Sequence, residues 1–198
     1  MEIIPAIRVY FFPDTDRQER DSDRRIYVCA ERFLKAEAEE AGQSVPSAVH
    51  LPAIRRGEGV KPCFAVETGI HFSVSHSGDF WVCAVSRREI GIDLQKKTTR
   101  FNPGIAERFF HADEHRYLET NGFGDFFMVW TAKESYVKFT GQGIGDGFSA
   151  FSVVQDGRIS PKANGAELWF LPFDSDYCLC LCTDKMGAVR IERVVSEE

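Results

Sequence analysis

Phe123-Gly-Asp-Phe-Phe-Met-Val-Trp130-Thr-Ala-Lys133-Glu134-Ser-Tyr-Val-Lys138-Phe-Thr-Gly141 contains the strongest periodic signal in the chain. Apolar residues recur at helical spacing, and Gly141 stands where a helix would take its left-handed stop, so the spacing predicts a helix over 123–140. On a wheel of about 100° per residue, Phe126, Phe127, Val129, Trp130, Tyr136 and Val137 share one broad arc. Lys133 and Glu134 fall inside that arc, and Lys138 follows Glu134 by one turn at its edge. A charged helix residue usually faces water. A carboxylate on the apolar side instead needs a cation, a metal or several donors.

Working back along the chain, Ile90-Gly91-Ile92-Asp93-Leu94 reads as an apolar strand interrupted by an acid. Either Asp93 caps a turn, or it is a paired carboxylate. If Asp93 and Glu134 meet, they form a hard-oxygen site suited to Mg²⁺ and substrate phosphates. Further back, Ser75-His76-Ser77-Gly78 places hydroxyls and an imidazole at a strand end, and Lys61 is fixed in a loop by Pro62.

The rest of the chain is expected as follows. A first strand covers 3–12 and a charged helix 17–41, with loop signals over 42–63. A strand covers 72–76 and a hairpin joins 80–85 to 90–94 around Ser-Arg-Arg-Glu. A helix covers 104–120, and strands return from Phe148. Asp79-Phe-Trp-Val-Cys83 is echoed by Asp176-Tyr-Cys-Leu-Cys180, which fits two copies of one α+β unit. Gly141 to Gly147 is glycine-rich but has no Gly-Lys-Ser/Thr and follows a helix, so it reads as a helix stop and loop.

The 198 residues suit one domain or two small lobes, and the 17 Phe residues supply core material. A net charge of -6 argues against a nucleic-acid partner. No stretch is long and apolar enough for a membrane span, and the start of the chain lacks a signal-peptide pattern. Cys178, Cys180 and Cys182 would share one strand face as reduced core residues, and the chain reads as cytoplasmic.

Taken in order, Gly91-Ile-Asp93 and, about forty residues later, Trp130-Thr-Ala-Lys-Glu-Ser-Tyr-Val-Lys138 resemble the signature of the 4'-phosphopantetheinyl transferases. Lys61-Pro62, Phe72 to Gly78, Arg108-Phe-Phe with Glu114, and Gly141 with Gly143 extend the likeness to the larger, surfactin-synthetase-activating type. The resemblance implies an α+β fold of two similar lobes with pseudo-twofold symmetry, expected here as 1–97 and 98–198. It implies transfer of phosphopantetheine from coenzyme A to a serine of an apo carrier protein, with Mg²⁺, by a monomer. Asp93, Glu134 and Lys138 would be catalytic. Asp93 and Glu134 would hold the metal. Gln95 stands where the family often has a third acid, and Glu114 is a substitute ligand. Lys61 and Pro62 would line the adenine pocket, Ser75 and His76 would hold the 3'-phosphate, Lys133 would touch phosphate, and Arg24, with Arg17 or Arg20, would add charge.

Two rivals are weighed beside this. His111-Ala-Asp-Glu114-His115 fits an inverted zinc-peptidase pattern. A non-catalytic carrier-binding module would keep the surface but lose Asp93, Glu134 and Lys138, all of which are present.

Overall fold

The computed structural model describes residues 6–13, 22–45, 47–57, 60–143 and 147–194. The chain begins with strand β1 (Ile7–Pro13), helix α1 (Ser22–Glu40) and the short strands β2 (Ile54–Gly57) and β3 (Val60–Phe64). Strands β4 (His71–Ser77), β5 (Phe80–Ser86) and β6 (Ile90–Lys96) come next, then helices α2 (Gly104–Phe109), α3 (Ala112–Thr120) and α4 (Phe126–Thr140). Strands β7 (Val154–Gln155), β8 (Arg158–Ile159), β9 (Lys162–Ala163), β10 (Ala166–Phe170), β11 (Tyr177–Thr183) and β12 (Val189–Arg193) complete it.

Two four-stranded sheets form the centre, in the orders β12-β1-β5-β4 and β6-β11-β10-β9. Alternate residues of the strands face each other across the gap between them: Ile7, Val9, Val82 and Ala84 from the first, Ile90, Ile92, Leu94, Leu179 and Leu181 from the second. The opposite faces are covered by helices. Ile26, Cys29, Ala30 and Phe33 of α1 pack on Tyr10, Phe12, Cys83 and Val85. Val129, Ala132, Tyr136 and Val137 of α4 pack with Leu168, Cys180 and Cys182. The molecule is thus a helix–sheet–sheet–helix stack, a mixed α+β fold, and burial on both faces makes β11 apolar throughout.

One connectivity occurs twice. In β1–α1–β4–β5 and in β6–α4–β10–β11, a strand and a helix precede a hairpin whose second strand pairs antiparallel with the first strand. The echoed segments Asp79–Cys83 and Asp176–Cys180 lead into β5 and β11, equivalent positions in the two units. The first sheet also draws on the end of the second unit, since β12 pairs parallel with β1.

Several expectations are corrected. Strands 80–85 and 90–94 are not a hairpin. β5 turns back on β4 around Gly78 and Asp79, whereas β6 crosses into the second sheet to pair with β11. Both strands are near-continuous apolar runs, which suit either pairing, so sequence could not choose between them. The loop region 42–63 contains the β2–β3 pair. The helix expected over 104–120 is two helices, broken where Phe110 is extended and His111 caps α3. The best-read helix begins at Phe126 and ends at Gly141 with φ 71°, as its glycine predicted. The expected helix start at 17–21, with Arg17 and Arg20, lies outside the described residues, as do Gly59 and 144–146.

The three alternating cysteines of β11 are buried and free, and burial pushes the Cys180 thiol up to about 12. They are core residues on the α4 side. Among the described residues no helix is long and apolar enough to cross a membrane.

Candidate active site

The site begins with a glycine. β6 lies against α4 so closely that a Cβ on Gly91 would sit 1.9 Å from the Ser135 carbonyl oxygen and 2.5 Å from the Phe139 backbone nitrogen. No other residue fits this close approach of helix and strand backbones. Because side chains alternate along a strand, Asp93 shares Gly91's face, opposite Cys180 as Gly91 is opposite Cys182. Asp93 therefore points at the helix turn that carries Glu134 and Lys138.

Asp93 is 1% exposed. Its Oδ1 accepts from Lys138 Nζ at 2.6 Å and from Ser75 Oγ at 2.8 Å. Its Oδ2 has a single long contact, Gln95 Nε2 at 3.4 Å. Glu134 is also buried. Burial, and then the negative charge of Asp93, push its carboxyl up to about 7 against the pull of Lys138. Asp93 and Glu134 thus share a single lysine, Lys138, while Lys61 on the cavity wall is engaged by Glu89.

A cavity of about 260 Å³ opens beside these groups, lined by Lys61, Pro62, Phe72, Glu134, Lys138 and Gly141 among others. Lys61 projects from β3, a strand and not a loop, and its Nζ donates to Glu89 Oε2 at 2.8 Å and to the Ile90 carbonyl at 2.7 Å. The other oxygen of Glu89 meets His71 Nδ1 at 2.9 Å. Burial opposes ionisation of Glu89, but Lys61 and His71 outweigh it and hold the carboxyl below its usual range. Sequence reasoning missed Glu89, whose role depends on a fold contact 28 residues away in the chain.

Ser75 and His76 point to opposite faces of β4, so one ligand group does not face both. His76 is exposed and pairs across the hairpin with Trp81. The guanidinium of Arg25 lies 5.7 Å from the Trp81 ring and 5.4 Å from that of Phe12. Arg25 is thereby held over Trp81, the strand partner of His76, and Arg24, the α1 arginine named from the sequence, is exposed beside it in the chain. The signal available in the sequence was only that two adjacent arginines face different ways on a helix.

Lys133 and Glu114 stand apart from the cavity. Both are fully buried, their side chains pair at 2.8 Å, and Lys133 Nζ also donates to the Phe151 carbonyl at 2.8 Å and lies 3.9 Å from the Phe151 ring centroid. Glu114 accepts from the backbone N–H of His111 and of Val153. The expectation that Lys133 touches phosphate and Glu114 a metal is corrected on this geometry: Lys133 and Glu114 neutralise each other inside the aromatic core. Neighbours on a helix point about 100° apart, so Lys133 turns inward where Glu134 meets the cavity. The same contacts remove the zinc reading, because His111 caps α3 through a capping box with Glu114.

Among the described residues no three His, Cys, Asp or Glu side chains cluster as a metal site. Asp93 and Glu134 supply two hard carboxylates, a set that fits Mg²⁺ completed by substrate phosphates and water.

Residues 89–190 match the model of the 4'-phosphopantetheinyl transferase superfamily. A 4'-phosphopantetheinyl transferase of Bacillus subtilis is 30% identical over 186 residues, covering 83% of this chain and 80% of that protein. One from Bacillus pumilus is 32% identical over 148 residues, 70% of this chain and 63% of that protein. One from Aneurinibacillus migulanus is 39% identical over 94 residues, 46% of this chain and 38% of its own. The matched part thus spans less than two thirds of the last two relatives.

Proposed function

The chain belongs to the 4'-phosphopantetheinyl transferase superfamily, and from that premise we propose that it transfers the phosphopantetheine arm of coenzyme A to a serine of an apo carrier protein. The observation that carries this is that Glu134 and Lys138 line the cavity shared with Lys61 and Pro62, and that Lys138 reaches from it to the buried Asp93 at 2.6 Å.

In this reading the serine oxygen attacks the phosphorus next to the pantetheine. The bond from that phosphorus to the bridging oxygen of the pyrophosphate breaks, and adenosine 3',5'-bisphosphate leaves. Glu134, with a carboxyl pushed up to about 7, takes the serine proton near neutral pH. Lys138 faces the charge that develops on the phosphate oxygens. Asp93 and Glu134, with Gln95 adjoining, would hold Mg²⁺, which when bound neutralises pyrophosphate charge. Lys61 and Pro62 would line the nucleotide end. His76, with Arg25 held over Trp81 across the hairpin and Arg24 on the same turn, would meet the 3'-phosphate.

The repeated connectivity supports two similar lobes related by a pseudo-twofold axis. On this reading the lobes would divide in the Arg87–Glu89 turn, earlier than the expected 97/98, because β6 pairs with β11 in the second sheet. Both carboxylates and the lysine come from one chain, which supports activity as a monomer, and the net charge of -6 argues against a nucleic-acid partner; we take the protein to act in the cytoplasm.

The test is incubation with coenzyme A, Mg²⁺ and several apo carriers, read by intact mass. A phosphopantetheine gain with release of adenosine 3',5'-bisphosphate is expected. No gain on any carrier by the folded protein would overturn the reading.

A further inference from the structure

Three serines alternate along β4, and each accepts from a backbone N–H of β6: Ser73 Oγ from Ile92 at 3.1 Å, Ser75 Oγ from Leu94 at 3.2 Å and Ser77 Oγ from Lys96 at 2.9 Å. The two sheets meet along this ladder of side chains, where a backbone carbonyl would stand in an ordinary sheet. Among the described residues only the middle serine hydrogen-bonds a carboxylate. Having accepted from Leu94, the Ser75 hydroxyl donates its proton to Asp93 Oδ1 at 2.8 Å.

We propose that Ser75 is a positioning residue for the metal-binding carboxylate, and that it does not bind the 3'-phosphate. This rests on the transferase reading above. The hydroxyl has one proton, and Asp93 takes it. The Leu94 N–H fixes the oxygen from the other side, so the donor direction is set by backbone. Ser75 and Lys138 together occupy Asp93 Oδ1. That fixes the carboxylate plane and leaves Oδ2, whose hydrogen bond among the described residues is the long one from Gln95, as the oxygen available to a cation. The residue is 7% exposed and lies on the face of β4 away from His76, so a phosphate held by His76 does not reach it. Outer partners of metal ligands set ligand orientation, and losing one commonly weakens metal binding by about tenfold to a hundredfold.

The experiment compares the wild type with Ser75→Ala, Ser75→Thr and Ser77→Ala. Ser77→Ala removes one ladder bond of the same kind without touching Asp93, so it controls for damage to the seam. Mn²⁺ binding in the presence of coenzyme A is followed by electron paramagnetic resonance, and KM is measured for coenzyme A and for 3'-dephospho-coenzyme A. Ser75→Ala should weaken Mn²⁺ binding about tenfold or more while keeping the wild-type ratio of the two KM values. Ser77→Ala should bind Mn²⁺ as the wild type does, and Ser75→Thr, which keeps the hydroxyl, should recover most of the affinity. Wild-type Mn²⁺ affinity in Ser75→Ala, or loss of its preference for the 3'-phosphate, would overturn the proposal. Wild-type protein that binds no Mn²⁺ with coenzyme A would overturn the transferase reading itself, and this inference with it.

Discussion

Replacing Gly91 by alanine tests whether the site is made by the approach of α4 to β6. The new methyl would lie 1.9 Å from the Ser135 carbonyl oxygen and 2.5 Å from the Phe139 nitrogen, both backbone atoms that no rotamer change can move. Ordinary contact begins near 3.4 Å, so helix and strand must part by about 1.5 Å. Overpacking of this kind costs about 1–3 kcal/mol. At about 2–4 °C per kcal/mol for a chain of this size, the melting temperature should fall by about 2–12 °C. The catalytic loss should be larger than the stability loss, because Glu134 and Lys138 flank Ser135 and Asp93 sits two residues from Gly91. A shift of about 1 Å in reacting groups can cost a hundredfold in rate. The assay is turnover on an apo carrier well below the melting temperature, with circular dichroism on the same sample. Turnover within threefold of wild type with an unchanged melt would show that the backbones are not in the contact described, and the account of the site would fall.

Other outcomes follow from the charges. Glu134 has a folded pKa of about 7, raised by burial and by Asp93, so its contribution to stability is full below the usual glutamate range and is lost as pH rises through about 7. Without metal, Glu134→Gln should therefore melt above wild type at pH 8 but level with it near pH 4, while turnover drops by about two to three orders of magnitude; a melting difference independent of pH refutes this. Lys133→Met should cost about 3–5 kcal/mol in urea unfolding by stranding Glu114, and adding Glu114→Leu should recover much of it. A stable Lys133→Met protein with raised KM for coenzyme A would restore the phosphate role. Gln95→Glu should lower the Mg²⁺ concentration for half-maximal activity by adding charge beside Asp93, and an unmoved midpoint would mean that residue 95 does not touch the metal.

Glu134 was legible because it breaks an apolar arc, and Asp93 because it interrupts an apolar strand. Both signals are local, and the structure brings the two together. Gly141 was legible for a similar reason, since a left-handed stop has few alternatives to glycine. What sequence could not give was pairing. The apolar runs 80–85 and 90–94 suit a hairpin as well as they suit two strands in different sheets, and the choice depends on β11, more than eighty residues later. Lys133 and Glu114 look like ligand candidates for the same reason Glu134 does. Only the fold shows that they neutralise each other. Ser75 and His76 are adjacent in the chain, and the pleat separates them.

The parallel pairing of β12 with β1 also has a consequence for synthesis. The N-terminal strand waits for nearly the whole chain before its outer edge is covered, since its partner is residues 189–193. Until then Arg8, 5% exposed in the finished fold, has Glu40 but lacks Glu192, its partner at 2.5 Å. Few contacts span so much sequence, and the entropy of closing such a loop makes this a late event in folding. On the ribosome the first sheet is therefore an open-edged intermediate, and a stop codon ahead of Val189 would leave that edge exposed for good.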